Sequence, residues 1–483
     1  MTTPKNINIW DFFDAISKIP RISKHEEKIV AWLVEFGKEH HLETHIDTVG
    51  NVLIRKNATT GFEKRQPVIL QSHLDMVAAK APSSNHDFLQ DPVSWYKDGN
   101  WIRSRGTTLG ADDGIGVAAA LTVLTDDTLE HGPLECLFTV DEESGMTGAK
   151  NLRNDWLKGK ILINLDSEDE GELFIGCAGG LDTTAFFKPE TTMLPEEYAG
   201  FTLTLNGLTG GHSGDEIHKG HANAIKLMTR FLWHADKMFG IYLSGFEGGT
   251  LRNAIPPEAE ASFFLHKKDT ETFKEWVDVF TRTLRAEYHA TDPGMKFNLS
   301  ETLLPEKILS DDLKRRLILS LYACPHGVYS WSRTIPGLVE TSANLALLRM
   351  AEGEDIMVGT NQRSAVESAK TDVSDMVASV FLLAGAEVRQ DGNYPGWEPN
   401  PDSEILKITS EAYRNLFGQE PAMKAIHAGL ECGLFLEKYP ALDMISFGPT
   451  IRGAHTPEER LDIESTGKFW KLLTTVLRNI PEC

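Results

Sequence analysis

Apolar residues recur at helical spacing near the start of the chain, at Trp10, Phe13 and Ile16 and again at Ile29, Trp32, Leu33 and Phe36. That period predicts two amphipathic helices. Residues 41–56 alternate and break at Val49–Gly50, as a strand, a turn and a second strand would. Three short apolar runs follow, and each ends in polar residues. Val68–Leu70 runs into Gln71-Ser72-His73-Leu74-Asp75, Leu134–Val140 into Asp141-Glu142-Glu143, and Ile161–Leu165 into Asp166. Between the first two lies Gly114–Leu124, a helix of small residues suited to close packing on a sheet. Toward the C-terminus the same grammar returns: a helix over Ser403–Phe417, a short buried strand over Asp443–Phe447, then a loop with Gly453-Ala454-His455. Short apolar strands alternating with helices indicate an α/β core. Ligands in such sheets bind beyond the carboxyl ends of the strands, which is where each polar cluster falls.

The middle reads differently. From about Thr183 to Trp397 the chain is richer in alternating runs, such as Phe201–Leu205 and Glu258–Leu265, with glycine turns at Gly210-Gly211 and Gly248-Gly249. The expected organisation is a catalytic domain of residues 1–184 and 396–483, with a mostly parallel sheet flanked by helices. An inserted α+β domain, residues 185–395, interrupts it.

Charge narrows the function. The chain has 483 residues, 48 Lys and Arg against 70 Asp and Glu, and a formal charge of −22. Phosphate binding needs a basic stripe, so no nucleic-acid partner is expected. The five cysteines form no CxxC pair, which argues against a disulfide framework or a structural zinc knuckle. With no secretory leader and no run of ~18 apolar residues, no membrane partner is expected, and a cytoplasmic location is.

The clusters carry chemistry. His73 and Asp75 are two residues apart at a strand end, so both point to one side; an imidazole can bind metal while the acid orients it. Leu109-Gly110-Ala111-Asp112-Asp113-Gly114 places an acid at a glycine-flanked turn opening a helix. Asp141-Glu142-Glu143 offers adjacent acids, one for metal and one free as a base; Asp166 and His455 complete the set. Mixed N and O ligands without thiolate suit Zn2+, Co2+ or Mn2+ rather than a structural zinc site. Two such ions ~3.5–4 Å apart can share a water, lower its pKa and polarise a scissile carbonyl. A spare glutamate can take the water's proton and pass it to the leaving amine. Each cluster alone is weak; their order at successive strand ends is the signal.

Rival chemistries fit less well. Gly114-Ile115-Gly116-Val117-Ala118-Ala119 matches a GxGxxA dinucleotide fingerprint but follows a polar, acidic stretch rather than an apolar strand. No GxSxG elbow and no HExxH helix occurs. A non-catalytic metal-binding scaffold would be expected to lose the spare base, and Glu142 is present.

The ordered clusters resemble the M20 family of co-catalytic zinc metallopeptidases. Cys177–Gly180, Gly210–Gly214, Leu251–Pro256, Val339–Ser342 and Ile426–Gly433 extend the resemblance over nearly the whole chain, toward its aminoacyl-histidine dipeptidase branch. The resemblance implies two Zn2+ per subunit, with Co2+ or Mn2+ as substitutes. Asp112 would bridge them, His73 and Asp166 would complete one site, and Glu143 and His455 the other. Glu142 would be the general base, and Asp75 would orient His73. The inserted domain would be a lid that also forms a homodimer. Its His212 would help polarise the substrate carbonyl, and Asn253 and Arg363 would grip the substrate carboxylate. The local motif of Arg363 is short, and its alternative reading is a surface arginine. Asp113 stands where close relatives are expected to carry Asn. The implied substrate is an unblocked dipeptide, Xaa-His such as carnosine; N-acyl amino acid deacylation or tripeptide hydrolysis is the alternative. His427 and Glu431 are read either as lining the substrate pocket or as packing residues. His25, His40, His41, His86, His131, His218 and His221 are expected at the surface.

Overall fold

The computed structural model describes residues 8–303, 305, 307–351 and 353–483. They divide into two compact units. One comprises the chain up to Gly176, Trp397–Ala425 and Leu430–Cys483; the other comprises Cys177–Gly396 and Ile426–Gly429.

The first unit is an α/β layer structure around an eight-stranded sheet. The strand order is Glu43–Ile46, Val52–Lys56, Leu134–Thr139, Val68–His73, Ile161–Asn164, Asp443–Ser446, Glu172–Cys177 and Ala422–Ile426. The four central strands, Leu134–Thr139 to Asp443–Ser446, pair in parallel; Glu43–Ile46 and Val52–Lys56 add on antiparallel. Every residue of Val68–His73, Leu134–Thr139 and Ile161–Asn164 is buried. Both faces of the parallel core are thus covered, which is why these strands read as continuous apolar runs. Their shared direction brings the segments after His73, Thr139, Asn164 and Ser446 to one edge.

Two helices fix that edge. Ile9–Ser17 starts with a reciprocal cap between Asn8 and Asp11 and buries Ile9, Phe12, Phe13 and Ile16. It packs on Ala111–Thr125, which is buried from Ala111 through Leu124. Small residues are required there: a Cβ on Gly116 would lie 2.2 Å from Asp113 Oδ1, and one on Gly114 would lie 2.5 Å from an Arg21 guanidinium nitrogen. A second sheet, which the apolar pattern did not predict, pairs Ile451–Arg452, Arg460–Asp462, Trp101–Ser104 and Trp95–Asp98. Its first two strands clasp the loop that carries His455.

The second unit is α+β. Its antiparallel sheet runs Lys296–Thr302, Tyr198–Asn206, Ala259–His266, Tyr242–Gly248, Val339–Arg349, Ile356–Ser364, Gly179–Phe187 and Glu387–Tyr394, with Gly327–Trp331 beside Val339–Arg349. Helices Ala224–Phe239, Thr270–Glu287, Asp311–Ala323 and Glu367–Leu383 build its core with the sheet, around Phe187, Phe201, Phe231, Phe263, Phe273 and Phe381. Gly179–Phe187 lies between Ile356–Ser364 and Glu387–Tyr394, so it counts with this unit.

Among the described residues no helix is long and apolar enough to cross a membrane. One surface expectation fails: His131 is fully buried, with its Nδ1 2.7 Å from the Gly132 carbonyl. His86 and His221 are partly buried, and His25, His40, His41 and His218 are exposed.

Candidate active site

At the carboxyl edge of the parallel strands, Asp112 stands between two imidazoles. Its Oδ1 is 3.0 Å from His73 Nε2, and its Oδ2 is 3.1 Å from His455 Nε2. His73 Nε2 also faces Asp166 Oδ1 at 3.3 Å, and His455 Nε2 faces Glu143 Oε2 at 2.9 Å. Two sets of three donors, His73-Asp112-Asp166 and His455-Asp112-Glu143, therefore share one carboxylate. Asp113 turns away. Its Oδ1 accepts the Gly116 N–H at 3.2 Å and its Oδ2 the His73 N–H at 3.3 Å. The first aspartate of the pair, not the second, faces both rings.

Asp75 does more than face His73, whose Nδ1 is 3.5 Å from its Oδ1. It also accepts the backbone N–H groups of Glu142 (3.0 Å) and Glu143 (3.1 Å) and the Ser23 hydroxyl (2.8 Å). One carboxylate thus ties the first histidine segment to the tandem glutamates. Burial opposes its charge, but His73 and these donors hold its pKa at about 2. The Glu142 carboxylate makes no hydrogen bond among the described residues, although its neighbour Glu143 is engaged. Asp141 and His455 both occupy left-handed backbone conformations, at φ +55° and +63°. Such strain in a non-glycine costs about 1–3 kcal/mol and concentrates at functional sites.

The electrostatics describe a negative cage. Burial pushes Glu142 up to about 8, and the charges of Glu431, Glu143 and Asp112 add to it. Burial likewise raises Asp166. Hydrogen bonds to Asp112 and Glu143 raise His455 to about 11. Burial lowers His73, but Asp166, Asp112 and Asp75 outweigh it and hold its pKa well above the ordinary value. Left to itself, the cluster gathers protons. Glu143 Oε1 is buried with no hydrogen-bond partner, an arrangement costly to leave unsatisfied. His73, Asp112 and Glu143 each offer a donor atom within 4.8 Å of the others. Divalent cations fit this donor set: they would replace the protons and return the free carboxylate to its ionised form.

Three supporting groups escaped sequence reasoning. Arg21 is buried and donates to the carbonyls of Leu74 (2.8 Å), Asp75 (3.0 Å) and Gly110 (2.6 Å). Glu459 accepts backbone N–H groups of the turn leading to Asp112. Gln71 donates to Glu431 Oε2 at 2.7 Å, as does Thr139 Oγ1. Glu431 is thereby a buried acid of this unit; His427 is a buried residue of the other.

The remaining predicted residues belong to the second unit. His212 Nδ1 lies 3.4 Å from Asp215 Oδ2, and its backbone N–H donates to Glu216. Asn253 is exposed, and its carbonyl accepts the Ser213 N–H at 2.8 Å. Arg363 is not a surface residue: it is 6% exposed on Ile356–Ser364, and its Nη1 donates to the Tyr394 hydroxyl at 2.9 Å. Its Nε is buried without a partner. Beside it, His427 Nε2 meets Ser342 Oγ at 2.7 Å.

A parallel α/β sheet with paired imidazole–carboxylate sets at its carboxyl edge has the build of a metallohydrolase, and the chain belongs to peptidase family M20/M25/M40, whose pattern matches residues 69–479. It is 44% identical over 474 residues to the cytosol non-specific dipeptidase of Escherichia coli, covering 98% of this chain and 97% of that one. The crystal structure of aminoacylhistidine dipeptidase from Vibrio alginolyticus superposes with a TM-score of 0.92 at 42% identity, covering 100% of this chain and 98% of that one. A Staphylococcus aureus tripeptidase shares the fold, with a TM-score of 0.57 at 17% identity, covering 99% of this chain and 98% of that one.

Proposed function

We propose that this M20 peptidase is a cation-dependent dipeptidase that hydrolyses unblocked dipeptides, with a preference for Xaa-His substrates such as carnosine. The carrying observation is Asp112, whose two oxygens face different imidazoles while the Glu142 carboxylate stays unengaged. His73 and Asp166 would hold one cation, His455 and Glu143 the other, with Asp112 shared. Zinc suits these donors, and Co2+ or Mn2+ would substitute. Bound there, the ions supply Lewis acidity that acidifies a water and polarises the scissile carbonyl.

The chain's own residues do the rest. Glu142 takes a proton from the attacking water as the C–O bond forms and delivers it to the amine nitrogen as the C–N bond breaks. Asp75 keeps Glu142 and Glu143 in register through their backbone N–H groups. In the inserted unit, Arg363 is the proposed anchor for the substrate carboxylate, because its planar fork suits bidentate binding. Asn253 is proposed to assist it, and His212 to steady the carbonyl. The same unit is the proposed homodimer contact, and the cytoplasm the proposed compartment. The similarity to the two dipeptidases supports a dipeptide over the tripeptides or N-acyl amino acids that related chemistry would take.

A dipeptide panel that includes carnosine, a tripeptide and an N-acetyl amino acid, assayed with and without Zn2+, tests the reading. Cleavage of the free dipeptides alone, with carnosine among the better ones, is expected. Faster turnover of the N-acetyl compound would replace dipeptidase with deacylase.

A further inference from the structure

We propose that Glu459 is the positioning residue for Asp112, and through it for both cation positions at once; the inference rests on the cation-site reading above. Glu459 is 2% exposed. Its Oε2 accepts the N–H groups of Leu109 (2.7 Å) and Gly110 (3.0 Å), and its Oε1 those of Ala111 (2.7 Å) and Asp112 (3.4 Å). Four consecutive amides therefore converge on one side chain. Each would be a buried donor left unpaired without it, which is costly.

The turn has little else to define it. Gly110 has φ +69° and provides no side-chain cap for the helix that follows, and Asp112 departs from helical values at φ −79°, ψ 112°. Glu459 supplies the missing cap from outside the helix. From the opposite side Arg21 Nη2 donates to the Gly110 carbonyl at 2.6 Å, so that residue is held at both its N–H and its C=O. A Cβ on residue 110 would lie 2.7 Å from the same nitrogen, so the clamp closes only on glycine.

Glu459 also follows His455 by four residues, within the loop clasped by Ile451–Arg452 and Arg460–Asp462. One short segment presents an imidazole to Asp112 Oδ2 and grips the backbone that aims Asp112. Loss of His455 or Asp166 removes a donor from one cation position only. Loss of the Glu459 carboxylate moves the shared donor, so both positions change together.

Glu459→Gln keeps the size of the side chain but turns an amide NH2 toward N–H donors. The full chain, stripped with chelator, would be titrated with Zn2+ by calorimetry, alongside thermal unfolding of the cation-free protein. Both binding steps should weaken in parallel, by about 10-fold or more, the scale seen when groups supporting a metal ligand are lost. His455→Ala should weaken one step only. In steady-state assays Glu459→Gln should lower kcat with KM near that of the wild type, and Glu459→Asp should restore part of the affinity in both steps equally. Should Glu459→Gln fail to fold, the Glu459→Asp titration decides by the same criterion, parallel weakening of both steps. Wild-type affinity in both steps, or a loss confined to one, overturns the proposal. A wild-type protein that binds no cation overturns the cation-site reading as well, and so marks that separate failure.

Discussion

The histidines of the acid cluster and those of the inserted unit are held in opposite ways. In the parallel-sheet unit, carboxylates raise His73 and His455, the latter to about 11. In the inserted unit, burial lowers His326 and His427 to about 3, assisted by the charges of Lys226 and Arg363 respectively. Imidazole is the same group in both. Where acids surround it, the site demands positive charge, as protons or as metal. Where a cation already stands nearby, it stays neutral and serves as a hydrogen-bonding group, as His427 does with Ser342. Acids thus favour positive charge around His73 and His455, whereas Arg363 already supplies it beside His427.

Stripping the protein of divalent cations should produce the largest effect on that contrast. Hydrolysis should vanish and return on adding zinc; an undiminished rate after chelation would remove the basis for treating the first unit as a cation site. Next comes Glu142→Gln, which should lower kcat by about 10²–10⁴-fold, the usual worth of a general base, while calorimetry still finds both cations bound. Loss of the cations along with the rate would place Glu142 among the ligands instead. A smaller change is expected from Asp75→Asn. It weakens the acceptor of the Glu142 and Glu143 amides, and cation affinity should fall by about 10–100-fold; full affinity would confine Asp75 to structure.

The smallest effect belongs to the inserted unit. With a folded pKa of about 3 for His427 against about 6.5 unfolded, the unfolded chain binds a proton that the folded one refuses in between. Stability from this residue is therefore complete above about pH 6.5 and declines as pH falls toward 3, by at most about 1.4 kcal/mol per pH unit. Imidazole NMR signals, assigned through His427→Asn, should show His427 neutral at pH 5. A midpoint near 6.5 would erase the difference between the units.

Much of the first unit was legible in the sequence because its strands are covered on both faces and end in chemistry. The runs ending at His73, Asp141 and Asp166 announced both the sheet and the site edge. Arg21 and Glu459 left no such trace, since their partners are backbone groups that every residue carries, supplied by chain segments far away in the sequence. The burial of Arg363 was hidden for a related reason. Thr360, Asn361, Gln362 and Ser364 make its strand look like solvent-facing chain, yet the buried neighbours are polar too: Thr183 Oγ1 donates to Gln362 at 2.8 Å and Thr360 Oγ1 to the Thr183 carbonyl at 2.9 Å. A polar interior has no apolar period to betray it. His131 fell the same way: its Nδ1 meets the carbonyl next door, while its Nε2 is buried without a hydrogen-bond partner.

The loop bearing His455 and Glu459 has a consequence for biosynthesis. Roughly 290 residues separate Asp166 from His455, and at about 5–20 residues per second of translation they emerge some 15–60 s apart. Over that interval the nascent chain carries His73 and its acids with neither the second imidazole nor the brace for the Asp112 turn. A chain interrupted anywhere between Asp166 and His455 therefore holds one imidazole and its acids but lacks the segment that closes the cage around Asp112.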